Sequence, residues 1–510
     1  MNSLIHRYDH KSIYGLGQWH SLLILSLVLS AGLVLSQLPL MTAAFIFAAI
    51  TFLLLSVIQP LVPLSAAIIA GPFGAYENIL FGDSVIESGQ IIFFVALASW
   101  LGHRMIIHQG RLKRPPLFYP LLIFILVTSF SLLAAGSFDS GIKEVAKWVE
   151  IWLVMIMVID QAGNLKSEST QKQNNSSAWK SLVQERWFLI MLLVAGAVQA
   201  LIGIWQFAFQ ESGPEHFLIL DRFYRAYGTF MQPNPFGGFM SISAFLAIGG
   251  IIGVALFVAK KVKSKAKVAP EDWYWLLFLV GLGGLVVVAL IMSWSRGAWL
   301  GFGAGMAAIL LFLPKRRWAG FSLLILGIFI LFIATQLDLL PTSISSRISG
   351  LSEDFQFGDV RGVNFEGENY AVIERLAHWQ SALEMAKDNI WLGVGFGNYE
   401  SAYPQYQLLN WPFALGHAHN YYLNMLAETG IIGLLTYLVF WVLVFIQLLR
   451  ILRNSQWPHR GLALGLLAAW TALSIHHLVD KLYVNNMFLY MGVMLGLQQI
   501  LAMKDDNSVR

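Results

Sequence analysis

Residues Trp187 to Phe209 read WFLIMLLVAGAVQALIGIWQFAF, without one ionisable side chain. A run of that length in helical geometry spans the roughly 30 Å of hydrocarbon in a bilayer. There it must be a helix, because a helix pairs its own backbone N–H and C=O groups where no water can reach them. Similar runs recur along the chain at Leu22 to Leu38, Met41 to Ile58, Leu61 to Leu80, Ile91 to Ile107, Leu117 to Leu133 and Val145 to Ile159. Beyond Phe209 they continue at Pro235 to Val258, Trp273 to Met292, Ala298 to Leu313, Trp318 to Leu337, Ile431 to Leu449, Leu462 to Ile475 and Met487 to Leu501. The reading is an all-α, polytopic transmembrane bundle of about 12 to 14 spans. The Leu61 to Leu80 run carries prolines and glycines, so a re-entrant hairpin is the alternative there.

Composition agrees with lipid as the main solvent. Hydrophobic residues make up 57% of the 510 and charged residues only 12%, about half the charged share of an ordinary soluble domain. Charge distribution then sets an orientation. With the N-terminus inside, the cytoplasmic segments contain Arg7 and Lys11, then the basic residues of 104–114, 166–186, 260–267, 315–317 and 450–460, and the tail with Lys504 and Arg510. They hold about 23 of the 33 basic residues, as the positive-inside rule requires. Both termini are therefore expected in the cytoplasm. Four regions follow: an N-terminal bundle (1–209), a central transmembrane region (210–336), a large extracytoplasmic loop (337–429) and C-terminal transmembrane helices (430–510).

Two polar stretches differ in kind. The Ser, Gln, Asn and Lys residues between Lys166 and Lys180 read as a mobile linker. In the outer loop, Tyr370 to Lys387 places Leu376, Trp379, Leu383 and Ala386 at helical spacing, which predicts an amphipathic helix against the bundle or the membrane surface. The loop continues through the glycine-rich turn Gly393 to Tyr399. With no cysteine anywhere, structural disulfides, thiolate metal sites and a cysteine nucleophile are excluded. No phosphate-binding glycine loop or dinucleotide fingerprint is present, which argues against an ATP-driven machine. Neither a cofactor nor a nucleic-acid partner is expected.

Ionisable groups beside a span are costly and are usually kept for a reason. Arg225 lies in RAYGTFMQPNP (225–235), which leads into a span; it is either an interfacial arginine snorkelling to the headgroups or a binding group. Arg296 lies in SWSRGAW (293–299), a tight connection on the face where basic residues are scarce. Its structural alternatives are to cap the preceding helix or to stack on Trp294. The third site is GHAHNYYLNMLAETG (416–430). His417 and His419, two residues apart, do not share a helix face and so lack the ligand spacing of zinc proteases. Asn420, Asn424 and Glu428 form a polar stripe behind them. The Glu366-Gly367-Glu368 pair could attract a divalent metal but reads equally as solvated loop, and no metal is expected. His476, His477 and Asp480, close to Lys481, read as a supporting network or an interfacial cap.

Arg225 with its Gln-Pro-Asn-Pro, Ser295-Arg296-Gly297, Gly393 to Asn398, and His419-Asn420 running to Glu428, Gly430 and Gly433 together resemble the bacterial O-antigen ligase and O-antigen polymerase superfamily of membrane glycosyltransferases. The resemblance covers roughly Arg225 to Ile432. It implies a bacterial cytoplasmic-membrane enzyme that takes a glycan from a polyprenyl-diphosphate lipid on the outer leaflet and passes it to a hydroxyl acceptor on a glycan or lipid. By that resemblance Arg225 and Arg296 hold the departing diphosphate in place of a metal. His419 is the general base of an inverting displacement, and Asn420, Glu428 and His417 support it. A polymerase is the alternative within enzymes. A bicarbonate or other solute transporter is the alternative outside them, since some members of the superfamily carry that label.

Overall fold

Each expected span after the first is helical in the computed structural model of the chain, the Leu61 to Leu80 run being interrupted by a 3-10 turn at Gly71–Phe73. The structure describes residues 37–82, 86–106, 112–169, 177–337, 358–361, 363 and 370–509, with positions 26, 339 and 345. Most of the run from Leu22 to Leu38, residues 170–176 of the expected 166–180 linker, the Glu366 to Glu368 pair and nearly all of 342–358 lie outside the described residues. In chain order the helices are α1 (Leu40–Ile58), α2 (Leu61–Ala70), α3 (Gly74–Phe81), α4 (Ser88–Ile106), α5 (Phe118–Ser131), α6 (Phe138–Ser169), α7 (Ala178–Ser181), α8 (Arg186–Phe209) and α9 (Pro233–Lys263). They continue as α10 (Pro270–Met292), α11 (Arg296–Phe312), α12 (Arg317–Gln336), α13 (Tyr370–Asp388), α14 (Tyr399–Ala402), α15 (Tyr421–Asn454), α16 (His459–His476) and α17 (Met487–Val509).

Among the described residues nine helices are long and apolar enough to cross a membrane. The other expected spans are shorter, as Phe118–Ala134 and Arg296–Phe312 are, or more polar, as α6 is with Glu144, Lys147 and Glu150. Burial accounts for the difference. The spanning stretch of α12 is only 6% buried, and the side chains it exposes, Phe321, Ile325 and Phe329 among them, are those lipid favours. Most of α16 is buried, so it contacts protein rather than lipid and tolerates a lower hydropathy.

The chain divides into two units, 1–63 with 95–108, and 64–94 with 109–510. In the first, Ser99 donates its hydroxyl to the Ser56 carbonyl. All the candidate site residues belong to the second. There α9 crosses α16 through Gly249-x-x-x-Gly253 and Gly461-x-x-x-Gly465, the small-residue spacing that lets helix backbones touch. A Cβ on Gly461 would collide with the backbone of Gly253.

The expected amphipathic helix is α13. Its inward face, with Ile373, Leu376 and Trp379, packs against Trp411, and Ala382 and Met385 join Tyr399, Tyr403 and Ala427. That face is thus buried against the rest of its own loop and the first turns of α15. Leu383, expected on that face, is 40% exposed. The all-α expectation has one small exception, an antiparallel pair β1 (Leu218–Ile219) and β2 (Phe223–Tyr224), in which Leu218 pairs with Tyr224 and Ile219 with Phe223.

Within α15 the helix breaks at Gly430 (φ 63°, ψ −169°), a conformation essentially restricted to glycine. A side chain there would run into the Trp391 carbonyl, and one on Gly393 (φ 66°) into the backbone of Glu428. Val394 N–H donates to Ala427 O (2.9 Å) and Ile431 N–H to Ile390 O (2.8 Å), so the glycine-rich turn is sewn to the break. Gly430→Ala is expected to cost about 1 to 3 kcal/mol, read as a lowered Tm in detergent. Gly284→Ala, where a Cβ meets nothing within 4 Å, should leave Tm unchanged or raised. Equal Tm values for the two variants would show that the break is not held by glycine.

Candidate active site at the end of helix α16

The connection Met292 to Arg296 and the hairpin before α9 are built together. Ala226 N–H donates to Met292 O (2.9 Å) and Arg225 N–H to Phe217 O (2.9 Å). The Arg225 guanidinium donates through Nε to Ser293 O (3.0 Å) and through Nη2 to Asn234 Oδ1 (3.2 Å). Ser295 Oγ donates to the same Asn234 oxygen (2.9 Å) and caps α11 by accepting Ala298 N–H. Asn234, in the Gln-Pro-Asn-Pro stretch, therefore ties Arg225 to the residue preceding Arg296. Arg296 is the first residue of α11 and so belongs to a helix N-terminus. Positive charge at a helix N-terminus is electrostatically unfavourable and makes that corner attractive to an anion.

Gly297, next to Arg296, lies against His476; a Cβ there would press on the imidazole. His476 ends α16, and its carbonyl accepts Asp480 N–H (3.1 Å). Asp480 Oδ1 in turn faces His417 Nε2 at 3.4 Å. The end of α16 thus links the arginine corner to the histidine turn.

In that turn His419 has φ 50°, a left-handed conformation that costs an L residue roughly 1 kcal/mol or more and persists only where its surroundings impose it. They do so on three sides. The His419 N–H donates to His417 Nδ1 (3.2 Å), Trp379 Nε1–H donates to His419 O (3.4 Å), and Ala418 N–H donates to Asn424 Oδ1 (3.1 Å). Nε2 of His419 is buried and makes no hydrogen bond with the protein. Burial, followed by the charges of His417, His378 and Arg375, pushes its imidazole well below the usual histidine range. The neutral, proton-accepting form is therefore the resting one.

Ring nitrogens of His417 and His419 and an Asp480 oxygen lie within 4.8 Å of one another, the combination among the described residues that could hold a divalent cation. Because His417 Nδ1 accepts the His419 N–H, the proton of its neutral ring sits on Nε2, 3.4 Å from Asp480 Oδ1. Asp480 entered the sequence reading only as part of a supporting network, because sixty residues of chain separate it from the histidines.

Asn420 and Glu428 serve the frame. Asn420 is the N-cap of α15, accepting Tyr422 N–H (3.0 Å) and Leu423 N–H (3.1 Å). Glu428, 2% exposed, accepts Tyr399 N–H (3.1 Å) and so clamps the glycine-rich turn. Two residues escaped the sequence reading. Arg375 is near enough for its charge to act on His419, and the His378 ring lies 5.4 Å from that of His419. His378 is buried, with Nδ1 2.9 Å from the Tyr399 hydroxyl, and burial followed by the His417 charge lowers it to about 4. Their only signal in the sequence was membership of the amphipathic helix.

Fold and site together define a polytopic helical membrane protein in which the end of α16 meets Gly297 on one side and, through Asp480, faces His417 on the other. Residues 280–438 match the O-antigen ligase family (Wzy_C). It is also similar to the exopolysaccharide production protein ExoQ of Rhizobium meliloti, at 24% identity over 286 residues. That match covers 54% of this chain and 57% of ExoQ, little more than half of the relative. The family match begins within α10 and ends within α15, taking in Arg296, Arg375, His378, His417, His419 and Glu428 but not Arg225 or Asp480.

Proposed function

We propose that this chain is a membrane glycosyltransferase of polysaccharide assembly. It transfers a glycan from a polyprenyl-diphosphate lipid to a hydroxyl acceptor on the outer face of the bacterial cytoplasmic membrane. The observation that carries the reading is the turn at His419, where a strained, over-determined backbone presents a neutral imidazole whose Nε2 is buried and unpartnered, on a family domain described as an O-antigen ligase.

The chemistry follows from the charges. The acceptor oxygen attacks the anomeric carbon as the bond to the diphosphate oxygen breaks, with inversion. His419 takes the hydroxyl proton, and the lipid diphosphate leaves as an anion. Arg225 and Arg296, at the α11 N-terminus, stabilise the charge that develops on it. The name of the relative, exopolysaccharide production protein, favours a second reading in which the acceptor is itself a lipid-linked glycan, so that the product is a longer chain.

Basic segments gather at one end of the second unit, which supports an orientation with that end in the cytoplasm. Arg460 reaches Phe312 O (3.0 Å), and Lys504 pairs with Glu185 (2.6 Å). Both termini would then lie in the cytoplasm and the loop with α13 outside. The reading is tested by removing the gene from its host and profiling lipid-linked glycans. A polyprenyl-diphosphate-linked glycan should accumulate, with the second reading expecting the unextended unit. A solute transporter would leave that pool unchanged and alter uptake, which would reject the proposal. So would a reporter fused after Lys387 that reads as cytoplasmic.

A further inference from the structure

At the end of the second unit away from the histidine turn, a cavity of about 470 Å³ opens between the α11–α12 connection and the ends of α15 and α16. Four cationic side chains line it, Lys315, Arg317, Arg453 and Arg460, and no carboxylate does. Arg460 is committed to the frame. It is buried and donates to the carbonyls of Leu452, Phe312 and Leu313, at the C-terminal ends of α15 and α11. The other three are exposed and form no ion pair with an acid among the described residues. Arg317 rests over the Phe312 ring at 5.6 Å.

Below these cations both walls turn apolar and remain open. Along α12, Arg317 is followed at successive turns by Phe321 (54% exposed) and Ile325 (66%). Along α15, moving away from Arg453, come Leu449 in the cavity lining and then Ile446 (40%) and Val442 (54%). Positive charge at the mouth over an exposed hydrocarbon-facing cleft matches a phospholipid with its acyl chains down the cleft. Basic loops alone would satisfy the positive-inside rule without enclosing a cavity.

The geometry points to a binding site for an anionic phospholipid in the cleft between α12 and α15, its phosphate held by Lys315, Arg317 and Arg453. Three cations free of carboxylate partners exceed the charge of one phosphodiester, so a headgroup carrying two phosphates is the better fit. The site lies at the opposite membrane face from the proposed transfer site and does not depend on that reading.

The test uses the full chain, purified and delipidated, with native mass spectrometry after addition of diphosphatidylglycerol, phosphatidylglycerol or phosphatidylethanolamine. The variant is Lys315→Gln, Arg317→Gln, Arg453→Gln. Its control, Lys260→Gln, Lys263→Gln, Lys267→Gln, removes the same charge from exposed positions outside the cavity. Diphosphatidylglycerol should bind the native chain most tightly, and the cavity variant about 100-fold more weakly, as three cations near a membrane surface allow. The control should keep native affinity. Circular dichroism and Tm within a few degrees of native establish that the variants are folded; should the triple variant fail this, Arg453→Gln alone is read for the same, smaller loss. Equal weakening in both variants would mean diffuse surface charge and overturn the site. Displacement of the lipid by millimolar inorganic phosphate would also overturn it, in favour of a free-anion site.

Discussion

Replacing His419 by alanine is expected to lower turnover by roughly 100-fold to 10,000-fold, the usual scale for losing a general base, with binding of the lipid-linked donor retained. The proposed function assigns the donor to the arginines, and the ring at position 419 makes no hydrogen bond through Nε2 that the fold would miss. His417→Ala should cost less. Its ring touches the reaction only through the His419 amide that it accepts and the Asp480 carboxylate it faces, so its loss loosens the turn without removing the base. A pH profile separates the roles. Because His419 lies well below the usual histidine range, kcat/KM, which reports the free enzyme, should stay level as pH falls through about 6.5. It should decline only under more acidic conditions, where the ring finally protonates. In the donor complex the diphosphate anion raises the same group, so the decline in kcat should begin at higher pH than that in kcat/KM. The measurement is transfer by purified variants, with donor binding assayed separately. Normal turnover in His419→Ala, or loss of binding in place of turnover, would make His419 structural.

The fold was largely legible because the bilayer imposes a simple code. A run without charge, long enough to cross the hydrocarbon, has few alternatives to a helix, and α8, α9, α10 and α12 begin and end within a few residues of their expected bounds. The inner helices were harder to grade, since α6 and α16 face protein and carry Glu144, Lys147 and Arg460 where lipid-facing helices carry leucine. Gly430 illustrates another limit. The sequence showed where the last loop ends, but a helix broken by a backbone docked against Trp391 leaves no periodic signal. At the site, Arg225, Arg296 and His419 were visible as single polar residues beside apolar runs. Their relation was not, because it passes through Asn234, His476 and Asp480, which are brought together by helix crossings and not by spacing along the chain. Asn420 and Glu428 showed as a stripe, and only the accepted N–H groups of Tyr422, Leu423 and Tyr399 reveal them as a cap and a clamp.

Changing either arginine to lysine is expected to reduce transfer by about 10-fold to 100-fold, the worth of one or two charge-assisted hydrogen bonds. Charge is conserved in this substitution and geometry is not. Arg225 already spends Nε on Ser293 O and Nη2 on Asn234 Oδ1, which fixes the plane of its guanidinium. A lysine ammonium reaching the same space is a point charge that can satisfy those acceptors or a phosphate oxygen but offers no planar fork. For Arg225→Lys the loss should appear in KM as well as kcat, because Asn234 would also be released from its part in the corner shared with Ser295. For Arg296→Lys the loss should fall mainly on kcat. The first turn of α11 is kept by the Ser295 cap, and what is missing is stabilisation of charge that grows only as the diphosphate departs. Steady-state transfer by the two variants at saturating acceptor reads the split. Near-native transfer by Arg296→Lys would exclude bidentate recognition of the leaving group at that position, leaving it a simple positive charge at a helix N-terminus.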